Sequence, residues 1–214
     1  MKQILLILLT LISLTGCSQS TNQKNKATQK EVGGGCEGCE AIYENPVPFE
    51  KLNHVDTLPD FNEQGPKIKI SGIVYQSNGK TPAKDVVLYF YHTDQTGHYP
   101  RKGNETGWGK RHGYLRGWVK TNNKGEYEFY TLKPAAYPQR GEPAHIHITV
   151  KEPDKNEYYI DDYLFDDDSL LTQFQRNRLK NGGGNGIVNL KLLNGILEAK
   201  RNITLGLNIS DYPR

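Results

Sequence analysis

The sequence is short of long apolar runs, of methionine and of net charge, and each shortage excludes something. Its longest apolar stretch, residues 4–14, reads ILLILLTLISL and covers only eleven positions, too few to span a bilayer comfortably. One Met and few long helical patterns, set against 22 Gly, 11 Pro and 13 Tyr, favour an all-β chain. A formal charge of +3 is too slight for a nucleic-acid partner, and no basic stripe interleaved with stacking aromatics is present. No internal repeat with a period of about 20 to 50 residues is apparent. The apolar fraction of 36% is low, but an aromatic content of 10% argues against wholesale disorder. The length, 214 residues, is ample for one hydrophobic core.

What is present begins at the N-terminus. Lys2 precedes the apolar run, which closes with Leu14-Thr15-Gly16-Cys17. A charged start, a short apolar centre and a small-residue end make residues 1–16 a secretory signal. The closing tetrad resembles the bacterial lipobox, whose cysteine is lipidated and becomes the first mature residue. An ordinary cleaved signal or a buried N-terminal helix is the alternative. On the lipobox reading, Cys17 anchors an extracytoplasmic, cell-envelope lipoprotein, and the membrane is an anchor rather than a substrate. Residues 18–35, SQSTNQKNKATQKEVGGG, are too polar to order themselves and read as a tether. Residues 17–41 are therefore assigned to the lipidated tether and residues 42–214 to the folded domain. Within the tether, Cys36 and Cys39 are the only thiols left once Cys17 is lipidated. An exported compartment favours a disulfide between them. A zinc site would need two more ligands, and a thioredoxin-like site would need a βαβ setting; neither is visible nearby.

From about residue 42 the pattern becomes short runs with period-two alternation, separated by turn residues. KIKISGIVY at 67–75 alternates and then turns at Ser77-Asn78-Gly79. DVVLYFY at 85–91 is nearly continuous in apolar and aromatic residues, as expected of a strand buried on both faces. Residues 115–121 and 125–131 flank Asn122-Asn123-Lys124 and predict a hairpin. Further strands are predicted at 144–150, 187–193 and 196–209. Residues 169–179 break the pattern and predict one short inserted helix, capped by Asp168 or Ser169, with Leu170, Leu171 and Phe174 on one face and a stop at Gly182 to Gly184. The predicted fold is an antiparallel β-sandwich with long loops at one end.

The densest cluster of chemistry runs from Tyr137 to His147, Y-P-Q-R-G-E-P-A-H-I-H. Residues two apart on a strand share a face, so His145 and His147 present two imidazoles side by side, suited to two cis positions on one metal ion. An isolated H-x-H of this kind is also a common polar or packing detail of a strand. Pro143 and Ala144 bring this one in rigidly, and Arg140 adds a fixed cation. The remaining histidines, His54, His92, His98 and His112, lack such context and read as solvated or packed. The acidic residues Asp161, Asp162 and Asp166 to Asp168 lack the glycine-punctuated spacing of a calcium loop and suit a helix start.

The sequence resembles the intradiol ring-cleavage dioxygenases, the catechol and protocatechuate dioxygenase family. The family has a Tyr-Pro loop leading into Pro-Ala-His-Ile/Leu-His, present here as Tyr137-Pro138 and Pro143-Ala144-His145-Ile146-His147. The preceding glycine-and-aromatic hairpin stands as Lys124-Gly125-Glu126-Tyr127-Glu128-Phe129-Tyr130-Thr131-Leu132-Lys133-Pro134, and the earlier Gly-x-Tyr loop as Gly97-His98-Tyr99-Pro100. Good correspondence covers about residues 66 to 150. The resemblance implies one Fe(III) per chain, held by Tyr99, Tyr137, His145 and His147; Tyr91 and Tyr114 are rival first ligands whose neighbours do not match. Two phenolates are hard anionic donors that favour ferric iron. The resemblance further implies a catechol-type substrate and O2, cleavage between the two hydroxylated carbons, a proton-accepting role for Tyr137 and a charge-steadying role for Arg140.

The chain departs from the family where catechol-cleaving members carry an Arg just before Pro-Ala-His, since Glu142 stands there. A carboxylate at that place is expected to repel a second negative charge on the substrate ring, such as a ring carboxylate, and so to favour neutral or cationic catechols, with Arg140 supplying part of the missing positive charge. The alternative is that Glu142 pairs with Arg140 at the surface. The helical dimerisation region of the catechol branch is absent as well. The rival function is a sandwich that keeps the metal but serves as a binding or surface-interaction module.

Overall fold

The computed structural model describes residues 31–213, so the signal, Cys17 and the first part of the tether lie outside the described residues. The strands in chain order are β1 (Val55–Thr57), β2 (Lys67–Tyr75), β3 (Val87–His92) and β4 (Arg116–Lys120). They continue with β5 (Glu126–Leu132), β6 (His145–Lys151), β7 (Tyr158–Tyr159) and β8 (Tyr163–Phe165). The last four are β9 (Ile187–Val188), β10 (Lys191–Leu193), β11 (Ile196–Lys200) and β12 (Ile203–Thr204). Two one-turn helices, α1 (Gly109–His112) and α2 (Gln173–Arg176), interrupt the loops.

The strands form two six-stranded sheets, the mostly β sandwich that the alternation predicts. One runs β1-β5-β2-β11-β10 with β12 also on β2; the other runs β4-β3-β6-β8-β9 with β7 also on β6. The long central pairs β2–β5, β3–β4 and β3–β6 are antiparallel. Several shorter pairings, β1–β5, β11–β2 and β8–β9, are parallel.

Period-two patterning explains the core. Ile68 and Ile70 of β2, Phe129 of β5, Leu88 and Phe90 of β3, and Ile146, Ile148 and Val150 of β6 are fully buried between the sheets. Phe90 stacks on Phe129 across the sandwich at 4.1 Å between ring centres, and Tyr163 meets both rings. The other face of β3, Val87, Tyr89 and Tyr91, packs with Trp118 under Ala41 and Ile42. Strand β3 is thus buried on both faces because the chain before β1 covers its outer side.

Three local expectations are revised. Residues 116–120 and 126–132 do not pair with each other: β4 joins β3 in one sheet and β5 joins β2 in the other. The Asn122 turn between them, where Asn122 Oδ1 accepts from the backbone of Lys124 and Glu126, crosses between sheets. The helix predicted at 169–179 shrinks to the single turn α2, capped by Thr172, whose hydroxyl accepts from Gln175 N while the Gln175 amide oxygen accepts from Thr172 N. Of the predicted apolar face only Leu171 is buried; Leu170 and Phe174 are exposed. Asp168 does not cap α2 but accepts from the backbone of Leu170 and of Ala144, pinning the entry to β6. Finally, residues 31–41 are packed rather than free. Val32, Cys39 and Ala41 are buried, and Cys36 is disulfide-bonded to Cys39.

The Phe90–Phe129 stack links the two sheets directly. Phe129→Ala is expected to cost about 3 to 5 kcal/mol through lost transfer energy and an unfilled cavity. Urea unfolding of the variant, with an unchanged slope and a lower midpoint, is the measurement.

Candidate metal centre

Strand β6 turns Ile146 and Ile148 into the core and leaves His145 and His147 on the outer face of the second sheet. Tyr91 lies directly across from His147 on β3, and its ring stacks on the imidazole at 4.4 Å. His112, at the end of α1, stacks on the other side of Tyr91 at 3.8 Å and bonds Tyr89 Oη through Nδ1 at 2.9 Å. An aromatic stack therefore backs the His147 ring.

The two tyrosines come from loops that are stitched together. Asp94 Oδ1 accepts from the backbone of Thr96 and His98, folding the loop after β3. Thr93 Oγ1 donates to Ala135 O at 2.6 Å, and Ala135 N donates to Asp94 O at 3.1 Å, tying it to the loop after β5. Gly97 has φ +79°, and a Cβ there would lie 2.1 Å from Ala136 O. Only glycine permits that approach. Tyr99 and Tyr137 thereby meet hydroxyl to hydroxyl above β6.

Four donor atoms converge. Tyr99 Oη lies 2.9 Å and Tyr137 Oη 3.3 Å from His147 Nε2, and His145 Nε2 lies 3.1 Å from the same atom. The protons of both imidazoles can be assigned from their other nitrogens. His145 Nδ1 faces Pro143 O at 2.8 Å, and a carbonyl only accepts, so Nδ1 carries the hydrogen. His147 Nδ1 faces the Asp162 carboxylate at 3.2 Å and carries one too. Both Nε2 atoms then present lone pairs to each other, with no proton between them. A hydroxyl can quench one lone pair; a cation answers all four donors at once. His145, His147 and Asp162 also form the metal-capable cluster of nitrogen and carboxylate groups among the described residues.

Electrostatics point the same way. Burial, then the hydrogen bond to Tyr137, pushes the Tyr99 phenol well above its ordinary range. Burial also raises Tyr137, partly offset by its bond to Tyr99 and by the Arg140 charge. Burial, then the charge of His147, lowers His145. Without a cation the phenols stay protonated and the His145 imidazole stays neutral, so the donor set fits a hard, highly charged ion that displaces phenolic protons.

A dioxygenase family model matches residues 43–179, well over half of the chain. Solved structures of catechol 1,2-dioxygenase from Acinetobacter sp. ADP1 (16% identity, TM-score 0.53) and 3-chlorocatechol 1,2-dioxygenase from Rhodococcus opacus 1CP (19%, 0.55) share its fold. The chain belongs to the intradiol dioxygenase family. Those two alignments cover 71% and 69% of this chain, but only 56% and 63% of the respective enzymes. The dioxygenase domain of a dioxygenase–carbohydrate-binding fusion from Streptomyces sp. SirexAA-E matches at 22% identity and TM-score 0.54, covering 70% of this chain and 85% of that one. No curated protein matches the chain.

Asp162, expected from the sequence to belong to a helix start, instead stands behind His147. Burial pushes its carboxyl up, but His147, by charge and hydrogen bond, holds it below the usual carboxylate range. The only sequence clue is indirect, since a ligating histidine needs an acceptor behind it. Of the two rival tyrosines, Tyr91 supports His147 and Tyr114 donates outward to Glu63. Arg140 lies over the Tyr137 ring at 5.5 Å, and Glu142 lines the same cleft. No ion pair joins them among the described residues. Asp161 accepts from the backbone of Asn181, while Asp166 and Asp167 pair with the side chains of Arg176 and Lys133.

Two outcomes are expected. Gly97→Ala should displace the Tyr99 loop and lower ferric-ion stoichiometry at least severalfold in a titration read by metal content, while far-ultraviolet circular dichroism stays native-like. Burial, then the charges of His147 and Arg116, lowers His112 to about 4. The unfolded chain therefore binds this proton more tightly, and the group's contribution is present above about pH 6.5 and lost as pH falls through about 4. Metal-free protein should lose stability across that window. His112→Gln should flatten the loss by on the order of 3 kcal/mol in denaturant titrations run at pH 7 and pH 4.

Proposed function

We propose that this protein is a non-haem Fe(III) intradiol dioxygenase that cleaves catechol-type aromatics between the two hydroxylated carbons with O2. The observation that carries the reading is the convergence of two phenol oxygens and two imidazole lone pairs on one point beside an open cleft. Tyr99, Tyr137, His145 and His147 would hold one ferric ion per chain. Bound there, the ion would supply Lewis acidity that makes a chelating catechol acidic and its ring reactive toward O2.

The chain's own residues do the rest. Pro143 O and Asp162 fix the two imidazole tautomers, so both Nε2 atoms stay available. Tyr137 lines the cleft, which makes its Oη the atom placed to take a proton from an entering substrate hydroxyl. Arg140, over the Tyr137 ring, is a cation placed to steady negative charge developing there. Glu142 opposes it: its charge raises the Tyr137 phenol where that of Arg140 lowers it. A carboxylate in place of the family's cation favours the second reading, a metal-containing module that binds without turnover.

The domain is further proposed to be held at the cell envelope, outside the cytoplasm, through lipid on Cys17. The Cys36–Cys39 disulfide suits that oxidising setting. Cys17→Ser should abolish incorporation of labelled fatty acid, and continued labelling would sink the lipoprotein assignment.

Purified protein with iron should be visibly coloured by phenolate-to-iron charge transfer and should consume O2 on addition of catechol. His147→Ala should lose both iron and colour. Tyr137→Phe keeps the ring volume and should retain the fold, with altered colour and turnover reduced by at least about tenfold. Colour without oxygen uptake would establish the binding module instead, and normal turnover by Tyr137→Phe would remove its proton-accepting role.

A further inference from the structure

The candidate metal centre opens into a cleft of about 990 Å3, at the upper end of the roughly 300–1,000 Å3 that holds a drug-sized ligand. A single dihydroxylated ring beside Tyr137, His145 and His147 leaves most of that space unfilled. Beyond Tyr159 to Asp162, the remainder is walled by residues between 164 and 180, and this wall has two chemical characters. Leu164, Leu171, Phe174 and Leu179 make it apolar, while Arg178 and Lys180 make it cationic. Phe174 is a large aromatic left 67% exposed, with the Arg178 guanidinium 5.2 Å from its ring centre.

The two cations on this wall are not tied up in ion pairs. Neither Arg178 nor Lys180 takes part in an ion pair among the described residues. The neighbouring carboxylates are committed elsewhere. Asp161 accepts from Asn181 N and Gly182 N at 2.8 and 3.0 Å, Asp166 pairs with Arg176 at 2.6 Å, and Asp162 supports His147. The charges of Glu142 and Asp162 act on Tyr137 and His145, at the metal end. The cleft is therefore divided, with the carboxylates of Glu142 and Asp162 beside the donor atoms and two cations on the wall.

That wall is also fixed in place. Thr172 and Gln175 cap α2 reciprocally, Gln175 Nε2 donates to Gly141 O at 3.3 Å, and Arg176 donates to Leu171 O and Asp166. Such prior ordering lowers the entropic cost of holding a ligand against it.

We propose that the cleft takes a catechol bearing an extended apolar arm that ends in a carboxylate. The arm lies on Leu171 and Phe174, and its carboxylate meets Arg178 and Lys180. The ring's place rests on the dioxygenase reading; the arm's place rests on the wall alone. A carboxylate directly on the ring would meet Glu142 instead, so the acid belongs at the end of the arm.

The test uses catechol, a catechol with a six-carbon chain ending in a carboxylate, and the primary amide of that acid. Binding to the intact protein is measured calorimetrically without oxygen. The armed acid should bind at least about fivefold more tightly than its amide, the range expected for two partly exposed charge contacts. The double variant Arg178→Ala with Lys180→Ala should bring that ratio to one, and Arg178→Lys should largely keep it. Phe174→Ala should weaken the acid and the amide alike. Equal affinity for acid and amide, or a preference that survives the double variant, would overturn the proposal. Oxygen uptake with plain catechol is recorded separately, so a silent protein that still prefers the armed acid would refute the dioxygenase reading and leave the arm site standing.

Discussion

The His147 imidazole is held from three directions: Tyr91 covers its face, Asp162 takes the hydrogen of Nδ1, and strand β6 fixes its backbone. With the ring immobilised, its Nε2 lone pair points to one place, and Tyr99, Tyr137 and His145 all reach that place. A half-buried donor cluster of this kind is costly when its polar atoms lack partners of the right sign. The surrounding structure can be understood as what holds the cluster together despite that cost. The stitched loops hold the phenols in, and the stack of His112 on Tyr91 removes the freedom by which His147 could turn away.

The same face explains why an extended N-terminal segment belongs to the fold. A sandwich sheet with tyrosines and tryptophan on its outer side would expose an apolar patch. Ala41 and Ile42 cover Tyr89 and Trp118, and Trp118 Nε1 donates to Ile42 O. The Cys36–Cys39 bond closes the turn before this cover, and Tyr159, a residue of the cleft, donates to Glu37 O at 2.8 Å. The segment that appears in composition as the end of a tether is thus part of the cleft's support.

Much of this was legible because it depends on local periodicity. Alternation in KIKISGIVY and AHIHITV assigns core and outer faces directly, and the double burial of DVVLYFY anticipates a covered outer face. What was not legible depends on partners distant in sequence. A turn such as Asn122-Asn123-Lys124 has the same chemistry whether its flanking strands pair or enter different sheets. Residues 31–41 are polar in composition, and their few apolar side chains find pockets only on the finished sheet. Asp162 reads as one of several acidic residues until β8 folds beside β6 and brings it to His147. The short α2 follows from the same limit: Asp168 had two possible backbone partners, and tertiary structure gave one of its oxygens to Ala144 at 2.7 Å.

The division of labour between elements bears on the departure at Glu142. The donor atoms depend on β6 and on the two loops that follow β3 and β5, whereas the cleft wall depends on the segment around α2. Around α2 the two are joined by single hydrogen bonds, such as Gln175 to Gly141 and Asp168 to Ala144, while β8 ties the inner end of the wall to β6. Charges on the wall can therefore change without moving the donors, and Coulomb interactions across a solvated cleft are weak enough to leave the ligand geometry intact. Glu142 differs, because it lies on the loop between Tyr137 and His145, where its charge and that of Arg140 act on the Tyr137 phenol in opposite senses. Replacing a cation there by a carboxylate shifts the balance against negative charge beside the donors. It follows that acidic groups on a ligand are best accommodated away from the centre, where Arg178 and Lys180 take part in no ion pair among the described residues.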